Sequence, residues 1–189
     1  MIDTLRKHII NLVDMNASEM NQLLDNFTLQ KIRRKQLIIQ PGYVSRQRYY
    51  IRKGSFKAYI IGPDAKQHII QFAIEDWWIT DGNSFLYQKP ASMFIEALED
   101  CEVYALEYSA EVRLKSLNHK FETFFRILAE RAATYHQRRI ISSLTLSPEE
   151  RYYEFVKTYP AVVQRLPVFL IASYLGISRQ SLTKIRSKL

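Results

Sequence analysis

The sequence predicts an α+β protein, in which an antiparallel β domain is followed by one long helix and a small all-helical region. Three observations indicate this order. From Phe27 onward, short alternating apolar segments are separated by Gly and Pro, a pattern typical of an antiparallel sandwich or barrel. From Ser109 the apolar residues return to a helical period. The chain then ends in two helix-like segments joined by Gly176, which indicates a helical hairpin or a helix-turn-helix.

Composition limits the class of protein. The 189 residues are 47% apolar and 24% charged, which is typical of a folded domain that buries a real core. The net charge of +8 favours a polyanionic partner, either nucleic acid or an anionic membrane surface. The excess of basic residues is concentrated in residues 164–189, which contain no acidic residue. This distribution favours nucleic acid. The basic residues of the segment are Arg165, Arg179, Lys184, Arg186 and Lys188.

Cysteine and histidine usage predicts neither a metal site nor a cofactor. The single cysteine, Cys101, excludes a disulfide within the chain and a multi-cysteine cluster, and it fits a reducing cytoplasm. The histidines lack the paired spacing of metal ligands; they are His8, His68, His119 and His136. No apolar run approaches the roughly 18 residues of a membrane span, and the N-terminus lacks the features of a signal peptide.

Two short helices are predicted before the β domain. The first covers residues 2–12, which have apolar residues on one side. Asn16 followed by Glu19 is the pattern of a capping box, so we expect the second helix to start there and to end near Phe27.

The strands of the β domain are predicted between turn signals. These signals are Pro41-Gly42, Lys53-Gly54, Gly62-Pro63-Asp64 and Asp81-Gly82-Asn83. Between them every second residue is apolar, so each strand presents one face to a core. The predicted inward residues are Phe56, Ala58, Ile60, Ile70, Phe72, Ile74, Met93, Ile95, Ala97, Cys101, Val103 and Ala105.

A long helix is predicted over residues 118–146. Its apolar track advances in alternating steps of four and three, which is the heptad pattern of a coiled coil. We expect it to join two chains into a homodimer, although the stripe could instead pack on its own β domain, or each half could do one of these. The predicted interface residues are Phe121, Phe125, Leu128, Ala132, Tyr135, Arg139 and Ser142.

A new helix is predicted to start at Ser147, which can cap it, with Pro148 in the first turn. Pro160 ends this helix, and a short connection leads to Leu166. A second helix then runs to Gly176, which tolerates a left-handed turn.

The last helix begins after Ser178 and is predicted to read DNA. Leu182 and Ile185 face inward, which leaves a basic and amide-bearing face outside. Arg179 suits guanine, Gln180 suits adenine, and the hydroxyls suit caps and phosphate contacts. An ordinary helical hairpin with a solvated basic face is the alternative. The predicted DNA-binding residues are Ser178, Arg179, Gln180, Ser181, Thr183, Lys184, Arg186 and Lys188.

This order of elements resembles that of the Crp/Fnr superfamily of transcription regulators. Matching segments are Pro41-Gly42, Lys53-Gly54, EALEDCEVYAL at 96–106, TLSPEERY at 145–152 and IASYLGISRQSLTKIR at 171–186. The resemblance implies a cyclic-nucleotide-binding-like β-roll, or jelly-roll, sensor domain over 1–117 and a dimerisation helix over 118–146. It also implies a helix-turn-helix domain over 147–189 that lacks the wing often found in the family.

Members that bind cyclic AMP hold it with a Gly-Glu pair and, about ten residues later, an Arg-Ser pair. The corresponding positions here are Thr80-Asp81 and Ala91-Ser92, and only Ser92 is kept. Ala91 cannot pair with a phosphate, so the resemblance implies an effector other than cyclic AMP, or none. The aromatic residues nearby could line a pocket or fill a core. The predicted effector-pocket residues are Trp78, Thr80, Asp81, Phe85, Ala91, Ser92 and Tyr135.

The sequence therefore predicts a homodimeric regulator that binds double-stranded DNA, with RNA polymerase as a further partner. A ligand-binding or protein-interaction module without a DNA target is the alternative. An enzyme is not predicted, because we find no paired nucleophile and base, phosphate-binding glycine loop or metal-ligand set.

Overall fold

The computed structural model describes residues 2–187 and has the predicted α+β architecture. Its helices are α1 Asp3–Ile10, α2 Ala17–Leu24, α3 Gly82–Tyr87, α4 Tyr108–Leu117, α5 His119–Thr145, α6 Pro148–Thr158, α7 Pro160–Arg165, α8 Val168–Leu175 and α9 Arg179–Arg186. Its strands are β1 Phe27–Ile32, β2 Leu37–Ile39, β3 Gln47–Lys53, β4 Phe56–Ile61, β5 Gln67–Ala73, β6 Trp78–Ile79, β7 Phe94–Ala97 and β8 Cys101–Glu107. Within the described residues, every helix is too short or too polar to span a membrane.

The strands form two four-stranded sheets. One has the order β1-β8-β3-β6 and is antiparallel throughout, with Tyr50 opposite Tyr104 on β3 and β8. The other has the order β2-β7-β4-β5. Contacts divide the chain into two compact units. Unit 1 comprises Met1–Ala58 and Ala73–Glu130, and unit 2 comprises Tyr59–Phe72 and Arg131–Leu189. The division cuts the predicted β-roll at the β4–β5 hairpin and cuts the long helix inside α5.

Helices cover one face of the first sheet in unit 1. Tyr50, Tyr104 and Leu106 on that face pack against apolar side chains of α1, α2, α4 and the first half of α5. Burial of this much apolar surface is the main stabilising term for such a layer arrangement. The buried helical residues are Leu5, Ile9, Met20, Leu23, Leu24, Ala110, Leu114, Phe121, Phe124, Phe125 and Leu128.

The predicted capping box starts α2. The Asn16 side chain accepts from the Glu19 N–H, and the Glu19 carboxylate accepts from the Asn16 N–H. Glu19 also accepts from Lys120 Nζ at 2.8 Å and from the Asn118 side chain at 3.0 Å, so it ties α2 to the start of α5. These hydrogen bonds, first among them that from Lys120, lower the pKa of Glu19 to about 2.

The turn at Lys53-Gly54 requires glycine. Gly54 has a φ of +98°, and a Cβ at this position would overlap the Cys101 thiol. Its N–H donates to the Glu75 carboxylate at 2.7 Å. The close approach of Gly54 to buried Cys101 therefore fixes the β3–β4 turn against the start of β8.

Two predicted boundaries differ from the structure. Asp81-Gly82-Asn83 starts the short helix α3 instead of a turn, because the Asp81 side chain caps it by accepting from the Ser84 N–H. The predicted connection after Pro160 is the helix α7, in which Pro160 occupies the first turn, where its missing N–H costs nothing. The C-terminal region from Pro148 onward therefore contains α6, α7, α8 and α9, one helix more than predicted.

Unit 2 is built on the β4–β5 hairpin segment, the second half of α5 and helices α6 to α9. The predicted start of α6 is confirmed, with a capping box between Ser147 and Glu150 and with Pro148 in the first turn. Arg139 of α5 donates to the carbonyls of Ile69, Ile70 and Tyr174, and its guanidinium lies 4.2 Å from the centre of the Tyr174 ring. One side chain thus joins α5, β5 and α8.

Candidate DNA-binding helix and effector sites

The last two helices, α8 and α9, are joined by a short turn. Gly176 ends α8 with a φ of +68°, and the Ile177 N–H returns to the Ala172 carbonyl at 3.0 Å. Two residues later Ser178 caps α9 by accepting from the Ser181 N–H. The turn therefore uses a left-handed glycine followed at once by a capped helix, as the sequence pattern predicts.

One face of α9 is buried and the other is open. Leu182 and Ile185 pack inward with Leu170, Ile171 and Leu175 of α8 as buried neighbours in the same unit. The remaining side chains of α9 are exposed. Four of these form no hydrogen bond or ion pair within residues 2–187, and they are Arg179, Gln180, Lys184 and Arg186.

The hydroxyl groups predicted to contact DNA make local bonds. Ser178 and Ser181 join their hydroxyls at 2.8 Å, and the Thr183 hydroxyl donates to the Arg179 carbonyl at 3.0 Å. These bonds stabilise the first turns of α9, while each hydroxyl oxygen keeps a lone pair for an external donor. Lys188, the last predicted DNA-binding residue, lies outside the described residues.

Helix α8 is anchored inside unit 2. The Ser173 hydroxyl of α8 donates to the Gln67 carbonyl at 2.8 Å and accepts from the Ile69 N–H at 3.2 Å. Together with the Arg139 contacts, these bonds attach α8 to β5 and to α5. The orientation of α9 in this unit therefore depends on polar bonds as well as on apolar packing.

In unit 1, the polar residues predicted to hold an effector are hydrogen-bonded to other groups of the chain. Asp81 is 1% exposed, and its carboxylate accepts from the backbone N–H groups of Ser84 at 3.0 Å and Ser92 at 2.9 Å. The Thr80 hydroxyl donates to the Gln47 carbonyl and lies 3.2 Å from the Ser45 hydroxyl. These polar groups are therefore satisfied by the chain itself.

The apolar members of the predicted pocket are packed. Ala91 is buried, and buried Phe85 lies under the Arg48 guanidinium at 4.6 Å and edge-on to Tyr108. Trp78 packs against the helical core and donates its indole N–H to His8 at 3.2 Å. Tyr135 lies in unit 2, where its hydroxyl is 2.8 Å from that of Tyr174.

A buried ion pair beneath α3 was not predicted. Arg48 of β3 donates a hydrogen bond from Nη2 to Glu111 of α4 at 3.0 Å, and its Nε lies 2.7 Å from Oε2 of the same carboxylate, between the rings of Phe85 and Phe125. Burial lowers the pKa of Arg48, and the adjacent carboxylate opposes that shift. Residues more than sixty positions apart form this pair, and local periodicity carries no signal for such contacts.

Each unit contains a cavity. The cavity of unit 1 has a volume of about 530 Å³ and is lined by other residues than the predicted pocket, among them Leu37, Tyr43, Arg46 and Glu107. The cavity of unit 2 has a volume of about 680 Å³ and is walled by β5, α5, α6 and α8. Of the predicted effector residues, Tyr135 lines this second cavity.

The predicted dimer track lies on the inner side of α5. Phe121, Phe125 and Leu128 are at most 7% exposed in the core of unit 1, so they have no surface left for a second chain. Arg139 bonds within unit 2 as described, and the Ser142 hydroxyl donates to Glu154. Tyr135 is half-buried, and only Ala132 of the predicted track is exposed.

The exposed stripe of α5 is displaced by one or two positions from that track. Ala133, Gln137, Ile140 and Leu144 are exposed and follow one another in steps of four, three and four. Leu144 is 79% exposed. The difference between the predicted track and the exposed stripe has a clear source, because the long helix has apolar residues on two faces and the sequence pattern does not tell which face its own chain covers.

Comparison with known proteins supports the expected fold. Residues 29–114 match the family model of the cyclic nucleotide-binding domain. No curated protein matches the chain. Among solved structures, FixK2 from Bradyrhizobium japonicum is similar with a TM-score of 0.73, at 15% identity, over 86% of this chain and 84% of that one. The chain has the fold of the Crp/Fnr regulators.

Two further structures extend the similarity over most of the chain. A protein from Eubacterium rectale described as a regulator of the Crp/Fnr family has a TM-score of 0.70 at 13% identity, and the match covers 93% of this chain and 83% of that one. The CLP protein of Xanthomonas campestris, described as a c-di-GMP responsive global regulator, has a TM-score of 0.67 at 14% identity. That match covers 92% and 91% of the two chains. At identities this low, the similarity establishes the fold alone.

Proposed function

We propose that the protein is a sequence-specific DNA-binding transcription regulator that acts as a homodimer and responds to a small effector other than cyclic AMP. The observation that carries this proposal is the open face of α9. Its exposed cationic and amide side chains have no partner within residues 2–187, and they project from a capped second helix of a helix-turn-helix. A helix presented in this way enters the major groove in regulators with this motif.

The positions of the side chains on α9 suggest their roles. Arg179 and Gln180 lie in the first turn, where a recognition helix comes closest to base edges, and their groups match guanine and adenine respectively. Lys184 lies further along the same exposed side and suits a base or a phosphate, whereas Arg186 near the helix end suits a phosphate.

Dimerisation is proposed through the exposed stripe of α5. Its heptad-like spacing lets two copies of α5 pair side by side, with Ile140 and Leu144 as the largest apolar contacts. Two α9 helices related by a two-fold axis would then contact half-sites about one helical turn, roughly 34 Å, apart. Replacing both Ile140 and Leu144 with Glu should yield monomers in sedimentation, whereas Val112→Glu on the exposed face of α4 should not.

The decisive experiment is selection of bound duplexes from a random DNA pool, followed by affinity measurements on the selected site. Arg179→Ala should weaken binding by about 1–3 kcal/mol and relax base preference at one position per half-site. Lys157→Ala, at an exposed position of α6, is the matched control for charge and should change little. Affinity should also fall steeply with salt, with a log–log slope of about −0.9 per neutralised phosphate.

The same experiment tests the alternative of a ligand-binding or protein-interaction module. A two-fold symmetric selected sequence supports the regulator, whereas unselective or salt-independent binding supports the alternative. Under the proposal the protein is not an enzyme, it works in the cytoplasm, and RNA polymerase is its further partner at a promoter.

A further inference from the structure

The cavity of unit 2 has the size of a small-molecule site. Its volume of about 680 Å³ falls within the roughly 300–1,000 Å³ typical of ligand pockets. It is bounded by β5, α5, α6 and the end of α8, so a single ligand would touch four elements of this unit. The polar residues predicted to hold an effector in unit 1 are already hydrogen-bonded within the chain, so this cavity is the better place for an effector.

A cluster of four aromatic side chains forms part of the wall of this cavity. Tyr135, Phe155, Tyr159 and Tyr174 contribute to it, with ring centres of successive pairs 5.1–6.2 Å apart. Burial raises the pKa of the three tyrosines, so their rings are neutral phenols at neutral pH. An aromatic cluster of this kind favours a flat ligand that can stack or pack edge-on against it.

The charged groups of the cavity favour an anion. Arg138, Arg139 and Arg151 line it against one carboxylate, that of Glu154. Arg139 is bonded to three carbonyls, but Arg138 and Arg151 have no acidic partner within residues 2–187. The Nε of Arg151 is buried without an acceptor, although its Nη1 donates to the Ser143 carbonyl at 3.2 Å. A buried guanidinium N–H without an acceptor is uncommon, and an anionic ligand would satisfy it.

We propose that this cavity binds a small planar aromatic anion and that the bound anion is the effector of the helix-turn-helix. The effector role rests on the proposed DNA-binding function; the binding site does not. Ser173, Tyr174 and Gly176 of the cavity wall belong to the end of α8 and the turn into α9. When α8 moves, the contacts between these residues and a bound ligand change. The ligand then binds one position of α8 more tightly than another, and this difference in affinity can shift the orientation of α9.

The test uses the full-length protein and three probes that share one ring: 2-naphthoate, 2-naphthyl phosphate and 2-naphthamide. Calorimetric titration should show one site per chain for the two anions and binding at least about tenfold weaker for the neutral amide. The tighter anion identifies whether the head group is a carboxylate or a phosphate. Equal binding of the amide, or no binding of either anion at millimolar concentration, would overturn the proposal.

Variants locate the site. Arg151→Gln and Arg138→Gln should each weaken the anions by at least about tenfold, whereas Arg131→Gln, at an exposed α5 position outside the cavity, should not. Arg138 is exposed, so its variant keeps the test valid if Arg151→Gln fails to fold. Unchanged affinity in Arg138→Gln, or a tenfold loss in Arg131→Gln, would place the anion elsewhere and contradict the proposal.

A final measurement separates the site from the function. The affinity of the wild-type protein for its selected duplex should change at a saturating concentration of the tighter anion. If the anion binds and the duplex affinity is unchanged, the effector role is wrong. Binding of the anion without any DNA binding would refute the proposed function and keep the site. DNA binding without anion binding would refute the proposed site and keep the proposed function.

Discussion

Helices α3 and α9 both start at a side-chain cap, but the polar groups around them differ in whether they are bonded within the chain. Both short helices are capped by a side chain, Asp81 in unit 1 and Ser178 in unit 2, and both carry polar residues. Around α3 the polar groups are bonded within the chain: Asp81 to two backbone N–H groups, and Arg48 to Glu111 under Phe85. On α9 the cations and the amide have no partner within residues 2–187. Polar groups bonded internally hold a structure, and polar groups left open are available for an external partner.

This comparison predicts that substitutions around α3 act on stability. The largest effect is expected for Glu111→Gln, which leaves the buried guanidinium of Arg48 without its carboxylate. Breaking a buried pair in this way costs about 3–5 kcal/mol. Urea unfolding should report the loss, with Glu122→Gln at an exposed position of α5 as the control. A loss below about 1 kcal/mol would mean that the pair is not the structural link described here.

The next effect is expected for Asp81→Ala. It removes the cap of α3 and leaves the Ser84 and Ser92 N–H groups without their acceptor, at a cost of about 1–3 kcal/mol. Urea unfolding is again the measurement, and Asn83→Ala, an exposed change in the same helix, is the control. An unchanged midpoint for Asp81→Ala would return this carboxylate to the predicted role of a ligand-binding group.

On α9, urea unfolding should distinguish a residue that stabilises the helix from one that is available to an external partner. Ser178→Ala removes a cap and should cost about 1 kcal/mol of stability. Arg179→Ala should stay within about 0.5 kcal/mol of the wild type, because it is exposed and makes no contact that folding needs. A stability loss for Arg179→Ala as large as that for Ser178→Ala would contradict the assignment of Arg179 to an external partner.

Local signals in the sequence were sufficient for most of the helix starts and for the α9 face, although they missed α3 and α7. The caps at Asn16, Ser147 and Ser178 and the left-handed Gly176 are short-range devices, so residue identity and spacing predict them. The inner and outer faces of α9 follow from a period of 3.6 in the same way.

Contacts between distant residues were beyond such signals. The pairs Arg48–Glu111 and Arg139–Tyr174 join segments that are brought together only by the tertiary fold. For the same reason the sequence did not reveal that Phe121 on the predicted dimer track is buried within unit 1, since its burial depends on what packs above the first sheet. Asp81 shows the limit most clearly. A family comparison marks it as a ligand position, and the structure uses it as a buried cap.

The last prediction concerns the pH at which each unit loses stability. Burial, and next the charge of Arg139, lower the pKa of His136 in unit 2 from its ordinary 6.5, so the unfolded chain takes up that proton first as the pH falls. The stabilising contribution of neutral His136 is therefore complete above pH 6.5 and declines below it. In unit 1 the pKa of Glu19 is lowered from 4.5 to about 2, so its contribution is complete above pH 4.5 and declines towards pH 2.

Acidification should consequently weaken unit 2 before unit 1. Opening free energies from amide hydrogen exchange, corrected for the intrinsic exchange rates, should fall between pH 7.5 and 5.5 in α5 residues 131–145 and in α8, while those of α2 stay constant. His136→Gln should remove this early decline, and His119→Gln, exposed at the first position of α5, should leave it unchanged. An early decline that survives in His136→Gln would show that another group in unit 2 controls it, because glutamine has no proton to gain in this range.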